Sequence, residues 1–152
     1  MDTIDLNLIA SSDYTLSKSF KGVYACDELP KLITTYPASF IVNTDKAKNA
    51  GKHWIAMYFE NQDLCDIFDS YGMTPFGEIY SFASDNAAVV QYNNLFLQNP
   101  ISNLCGAYCL YFLHYRCRGY SLNSINGPPL VEYRWEENDA LVRDTITLLI
   151  ED

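Results

Sequence analysis

Apolar residues in this chain come first in short bunches between turn-forming residues, then in one long block, then in a helical stripe. The run Phe40-Ile41-Val42 within Ser39 to Thr44 is β-prone and predicts a strand. His53 to Phe59 (HWIAMYF) and Leu64 to Ser70 (LCDIFDS) predict two more. The residues between them, Glu60-Asn61-Gln62-Asp63, have turn chemistry, so the pair is expected as an antiparallel hairpin. Pro75 can open a short helix toward Ala83, and the β-branched and aromatic stretch Val89 to Phe96 predicts a further strand. Residues 1–15 are polar and weakly patterned. Leu16 to Gly22 and Asp27 to Thr34 each read as a helical turn.

The long block is the most informative. Pro100 ends the preceding element, Ser102 or Asn103 offers an N-cap, and a helix is predicted from about Cys105 to the glycine at 119. Ala107, Tyr108, Leu110, Tyr111, Phe112, Leu113 and Tyr115 leave it no polar face, which predicts a buried central helix. Leu122 to Pro129 reads as loop. Trp135 to Ile150 reads as a closing amphipathic helix, with Leu141, Ile146, Leu148 and Leu149 on its apolar side. The expected fold is α+β: a small, mostly antiparallel sheet packed against a buried central helix.

Composition narrows the class. With 49% hydrophobic and 19% charged residues, the 152-residue chain is expected as one globular domain, 1–152. A net charge of −9 disfavours phosphate backbones and anionic lipid as partners. Lys46, Lys48 and Lys52 form a local basic cluster, read here as a solvated loop. Acid in Met1-Asp2-Thr3-Ile4-Asp5 does not fit a signal peptide, and the charge-free apolar run Cys105 to Tyr115 falls short of the roughly 20 residues of a membrane span. An unexported soluble protein is expected. Cys26, Cys65, Cys105, Cys109 and Cys117 are odd in number and show no disulfide spacing, as in a reducing compartment.

Candidate chemistry centres on Cys105. It falls in the first turn of the predicted central helix, where free N–H groups and the helix dipole favour a thiolate. Gly106 beside it removes side-chain bulk and lets a substrate backbone approach. The chain has two histidines. His114 lies nine residues along the same helix, which at about 100° per residue puts it on the opposite side. It is read as a packing residue, leaving His53 as the base. Asp69 ends the strand that pairs with the His53 strand. The two share a face only if the hairpin register sums to an even number, which needs an odd loop or a bulge. Asp66 points to the other face. Gln98, just before the Pro100 break, can donate to an oxyanion beside the Cys105 N–H; on spacing alone it reads as an ordinary polar loop residue. Zinc is excluded: on one helix Cys105, Cys109, His114 and Cys117 cannot converge on one ion.

The order His53-Trp54, Asp69, Gln98, Cys105-Gly106 resembles the adenovirus endopeptidase (adenain) family and, more distantly, the SUMO-deconjugating proteases. Ile41-Val42-Asn43-Thr44 with Gly51-Lys52-His53-Trp54-Ile55-Ala56 is similar to the run into that family's catalytic histidine. Ile67-Phe68-Asp69-Ser70-Tyr71-Gly72 is similar to its acidic motif, with Asp where the adenovirus enzymes have Glu. Gln98-Asn99-Pro100 and Cys105-Gly106, then Phe112-Leu113-His114, are similar to its oxyanion and nucleophile segment. The resemblance covers residues 16–150. It implies an adenain/papain-like architecture and a cysteine endopeptidase. Its triad would be Cys105, His53 and Asp69, with Gln98 in the oxyanion hole and Trp54 narrowing the cleft around small, Gly-Gly-like sites. Substrates would be viral capsid or core precursors, with activity in the virion and infected cell, and the source an adenovirus-related or Maverick/virophage-type element. No cofactor is required by the residues. The family implies an activating peptide, but the position aligned with its tethering cysteine is Ala87. The acidic charge likewise argues against DNA activation. A monomer is expected. The alternatives are a deconjugating isopeptidase and an inactive binding module on the same scaffold.

Overall fold

The computed structural model describes residues 1–151. Its elements are α1 (Thr3–Ser12), α2 (Tyr14–Ser17), β1 (Phe20–Ala25), β2 (Ala38–Asn43), β3 (Trp54–Phe59) and β4 (Leu64–Phe68). They continue with α3 (Gly77–Asn86), β5 (Val89–Tyr92), α4 (Cys105–Arg116), α5 (Leu122–Asn126) and α6 (Trp135–Glu151).

The five strands form one sheet in chain order. β2, β3 and β4 pair antiparallel in the centre, and β1 and β5 join parallel at the edges. The α+β class holds, but the sheet is mixed. The parallel β4–β5 pairing arises because α3 carries the chain over one face, as a parallel connection requires.

Pleat alternation splits the apolar residues into two cores. Ala56, Tyr58 and Phe68 face α4, where Phe68 stacks on Phe112 with ring centres 5.0 Å apart. Phe40, Ile55, Met57, Phe59 and Ile67 face α3, and Phe40, Phe59 and Phe82 meet edge to face. All six residues of β2 are buried, since both faces are covered. α4 lies between the sheet and α1, α5 and α6, so its apolar surface is buried on every side as expected.

Five local expectations are corrected. Residues 1–15 are largely helical. Asp2 accepts the Asp5 N–H at 2.9 Å and Asp5 returns the bond to the Asp2 N–H at 3.3 Å, a capping box built from two aspartates. The helical turn expected over Leu16 to Gly22 stops at Ser17, and the chain enters β1, where Val23 packs on the core. No helix forms over Asp27 to Thr34. The expected loop at 122–129 begins with α5, capped when Ser121 accepts the Ser124 N–H. β5 is shorter than expected because Asn93 turns inward.

Candidate active site

The β3–β4 hairpin sets the positions of the candidate base, His53, and of the carboxylate beside it, Asp69. Ala56 pairs with Phe68, Met57 with Ile67 and Phe59 with Cys65. Each pair sums to an even number, and the Glu60 N–H bonds Leu64 O at 3.1 Å, leaving a three-residue turn, Asn61 to Asp63. Asn61 braces it by accepting the Asp63 and Leu64 N–H groups. This odd turn puts His53 and Asp69 diagonally opposite on one face. His53 Nε2 lies 2.7 Å from Asp69 Oδ1.

With Nε2 engaged, Nδ1 is the ring nitrogen left for Cys105, whose thiol lies close enough to His53 for each group to shift the other's pKa. Cys105 opens α4. Leu104 occupies the N-cap position without a side-chain cap, so neither Ser102 nor Asn103 takes the role expected of it. The first N–H groups of the helix therefore stay free for an anion.

The electrostatics of the three groups follows from this arrangement. Burial depresses the His53 imidazolium, yet the hydrogen bonds and charges of Asp69 and Cys105 outweigh it and raise the pKa to about 9. Burial pushes the Cys105 thiol up, but His53 and the backbone N–H groups of Trp54 and Gly106 bring it below the ordinary thiol value. The other four thiols move the opposite way, each chiefly by burial: Cys65 and Cys109 well up, Cys117 to about 11, and Cys26 upward. Only Cys105 is tuned toward thiolate.

Several residues not foreseen from the sequence hold these groups. Tyr71 stacks on the His53 ring at 4.3 Å and 12°. Its N–H donates to Asp69 Oδ1 at 2.8 Å, so one carboxylate oxygen fixes both the imidazole and the turn. Gly72 follows at φ +70, where a Cβ would sit 2.6 Å from the Leu95 carbonyl oxygen, so only glycine fits. Asn93 is buried and bonds both the N–H and the C=O of Asp69. Ser70 donates to Gln98 Oε1. The Gln98 amide nitrogen then points to the segment before Cys105, donating to Ser102 O and Oγ at 3.1 Å each. Ser70, Tyr71 and Gly72 adjoin Asp69 in sequence and were within reach of the motif. Asn93 carried no local signal.

The remaining expected residues have clear places. Trp54 is half-buried against the α4-side core. At Gly106 a Cβ would lie 3.0 Å from Leu6 Cδ2 and 3.6 Å from Met1 Cβ, so the missing side chain lets α1 pack onto α4. His114 sits away from Cys105 and hydrogen-bonds Asp13 at 2.7 Å. Asp66 faces α4 and pairs with Arg116 at 2.8 Å. Among the described residues no group of His, Cys, Asp or Glu is arranged to hold a metal.

A family model of the adenovirus endoprotease matches residues 20–141, a span that contains His53, Asp69, Gln98 and Cys105. The chain belongs to the adenovirus endoprotease family. A protease of bovine adenovirus C serotype 10 is 33% identical over 92 residues, covering 51% of this chain and 47% of the relative. A protease of bovine adenovirus 4 is 27% identical over 138 residues, covering 76% of this chain and 69% of the relative. The chain thus spans about half of the first relative's length. A crystal structure of an ASFV protease superposes with a TM-score of 0.58 at 15% identity, covering 88% of this chain and 63% of that one. That likeness is one of fold.

Proposed function

We propose that this chain is a cysteine endopeptidase with Cys105 as nucleophile, His53 as base and acid, and Asp69 as the group that orients the imidazole. The observation that carries the reading is the buried 2.7 Å His53–Asp69 bond beside Cys105, the one thiol that His53 and the backbone N–H groups of Trp54 and Gly106 shift toward thiolate. His53 holds the thiol proton as an imidazolium, and the thiolate adds to a peptide carbonyl carbon. The developing oxyanion is held by the Cys105 N–H and the Gln98 amide, which must release Ser102 Oγ to receive it. His53 gives its proton to the leaving amine as the C–N bond breaks, and a thioester remains on Cys105. Water then adds with its proton passing to His53, and the C–S bond breaks to return the thiolate.

Trp54 borders the segment on the acyl side of the scissile bond and restricts it to small, Gly-Gly-like residues; the backbone at Gly106 lines the same approach. The substrates are viral precursor proteins such as capsid or core components, cleaved by a monomer in the virion and the infected cell. The acidic charge disfavours DNA as a partner. No described helix is long and apolar enough to cross a membrane.

The test is limiting alkylation near neutral pH with mass-spectrometric mapping, followed by turnover of a Gly-Gly peptide. Selective labelling at Cys105, slowed by about a hundredfold or more in His53→Ala, together with hydrolysis lost in Cys105→Ala, is the expected result. Equal labelling of all five cysteines would sink the proposal. Turnover of a ubiquitin-like fusion in strong preference to the peptide would move the assignment to an isopeptidase.

A further inference from the structure

A cleft of about 720 Å³ opens beside the catalytic histidine, on the α3 face of the sheet. His53, Asp69 and Tyr71 form its inner end. Cys105, Gln98 and Trp54 do not line it. Its floor is apolar, made by Ile55, Ile67 and Ile79. On one lip are Met73 and Phe76, which are 58% and 72% exposed although both are apolar. The other lip, the β2–β3 loop, carries Lys46, Lys48 and Lys52, three of the six lysines in the chain.

The sequence alone suggests a solvated loop, but its place on this rim gives the lysine cluster a direction. Two acids share the rim, Asp45 and Glu78. Asp45 is committed to its own loop, accepting the Lys46 N–H at 2.9 Å and the Asn49 side-chain amide at 2.7 Å. Glu78, at the start of α3, is the other, and Asp27 binds the lysine loop from outside the cleft, accepting the Ala47 N–H at 2.9 Å. In a chain of net charge −9 this is an exceptional concentration of positive charge, and it stands over an apolar floor.

Position decides which part of a substrate belongs here. The proton from His53 goes to the leaving amine, so the chain on the amine side of the scissile bond must pass against His53. Trp54 and the nucleophile helix lie on the α4 face, and this cleft lies on the other. We infer that the cleft is the subsite for the leaving-group half of the substrate, and that it selects an apolar or aromatic residue accompanied by acidic residues. The apolar side chain covers Ile55, Ile67 and Ile79 under the Phe76 lip, and the acids meet the lysines. This inference rests on the endopeptidase reading.

The experiment uses three substrates with one Gly-Gly acyl half. One ends in a coumarin amide and has no residues beyond the scissile bond, one continues as Phe-Glu-Glu, and one continues as Phe-Lys-Lys. The wild-type protein is expected to favour the acidic extension over the basic one by about tenfold or more in kcat/KM, the equivalent of about 1.4 kcal/mol. In Lys46→Glu/Lys48→Glu the ratio should invert. A second readout needs no variant: the wild-type preference should shrink as ionic strength rises from about 0.01 M to about 1 M, where screening shortens to about 3 Å. Equal turnover of the two extended peptides, or a preference indifferent to both salt and charge reversal, overturns the inference while leaving the endopeptidase reading intact. Failure of the wild type to hydrolyse any of the three, the coumarin amide included, overturns the endopeptidase reading and this inference with it.

Discussion

Asn93 grips Asp69 by both of its backbone polar groups: Asn93 Oδ1 accepts the Asp69 N–H at 2.8 Å, and Asn93 Nδ2 donates to the Asp69 C=O at 2.7 Å. The side chain replaces the strand that β5 stops supplying after Tyr92. Asp69 thus keeps the order of a paired strand residue at the point where its strand has ended. Asn93→Ala should leave two buried backbone groups unpaired and cost about 1–3 kcal/mol per group in urea unfolding. Cys105 alkylation should slow in the same variant, because Asp69 no longer holds His53 in place. Unchanged alkylation with lowered stability would mean that Asn93 only supports the fold.

The pH dependence follows from the imidazolium–thiolate pair. Its lower limb is Cys105 losing its proton below the ordinary thiol range, and its upper limb is His53 losing its own near pH 9. Alkylation of Cys105 should therefore already be fast at pH values where a free thiol is protonated, and peptide turnover should fall as pH rises through about 9. For folding, the raised His53 contributes its full stabilisation below its unfolded pKa of about 6.5, and loses it as pH rises through about 9. A turnover profile that keeps rising past pH 9 would contradict this assignment.

Ser70 and Gln98 separate orientation from donation. Gln98→Ala should lower kcat by about 10²–10³ if its amide stabilises the oxyanion. Ser70→Ala removes only the bond that orients that amide, worth about 0.5–1.5 kcal/mol, so kcat should fall by about tenfold or less with KM little changed. Steady-state kinetics on the Gly-Gly peptide distinguishes the two.

Arg116 and Asp66 tie the central helix to the sheet. Their bond is 2.8 Å and buried, and the guanidinium also lies 4.6 Å over the Tyr58 ring. Asp66→Ala should leave an uncompensated buried cation and destabilise the protein by about 3–5 kcal/mol. Asp66→Leu with Arg116→Met should recover much of that loss. Chemical denaturation of the two variants measures the difference.

Gly106→Ala places a methyl group 3.0 Å from Leu6 and should cost about 1–3 kcal/mol through overpacking. Leu6→Val should relieve it. A rise in KM without loss of stability would instead assign the glycine to the approach of substrate.

The strands, the central helix and the closing helix were legible because their apolar patterns are strong and unbroken. So was the set of site residues that the structure brings together: His53 and Asp69 through the hairpin, Cys105 through the helix start. The first helix was not, because its buried faces, Leu6 and Ala10, are too few for an amphipathic stripe, and the Asp2–Asp5 box is a weak variant of the usual capping pair. Asn93 and Ser70 were hidden for another reason: their roles depend on partners 24 and 28 residues away in the chain, and spacing reveals only nearby neighbours. The lysines were visible but without direction until the fold set them on a rim.

The Asn61 to Asp63 turn has a consequence for how this chain tolerates change in length. It lies at the end of the hairpin remote from Cys105, where insertions would ordinarily be harmless. Adding or deleting one residue there converts the register from even to odd and turns Asp69 to the face now held by Asp66. A change of two preserves it. Insertions at this distant tip should therefore be sorted by parity, with one-residue events silencing the site and two-residue events sparing it.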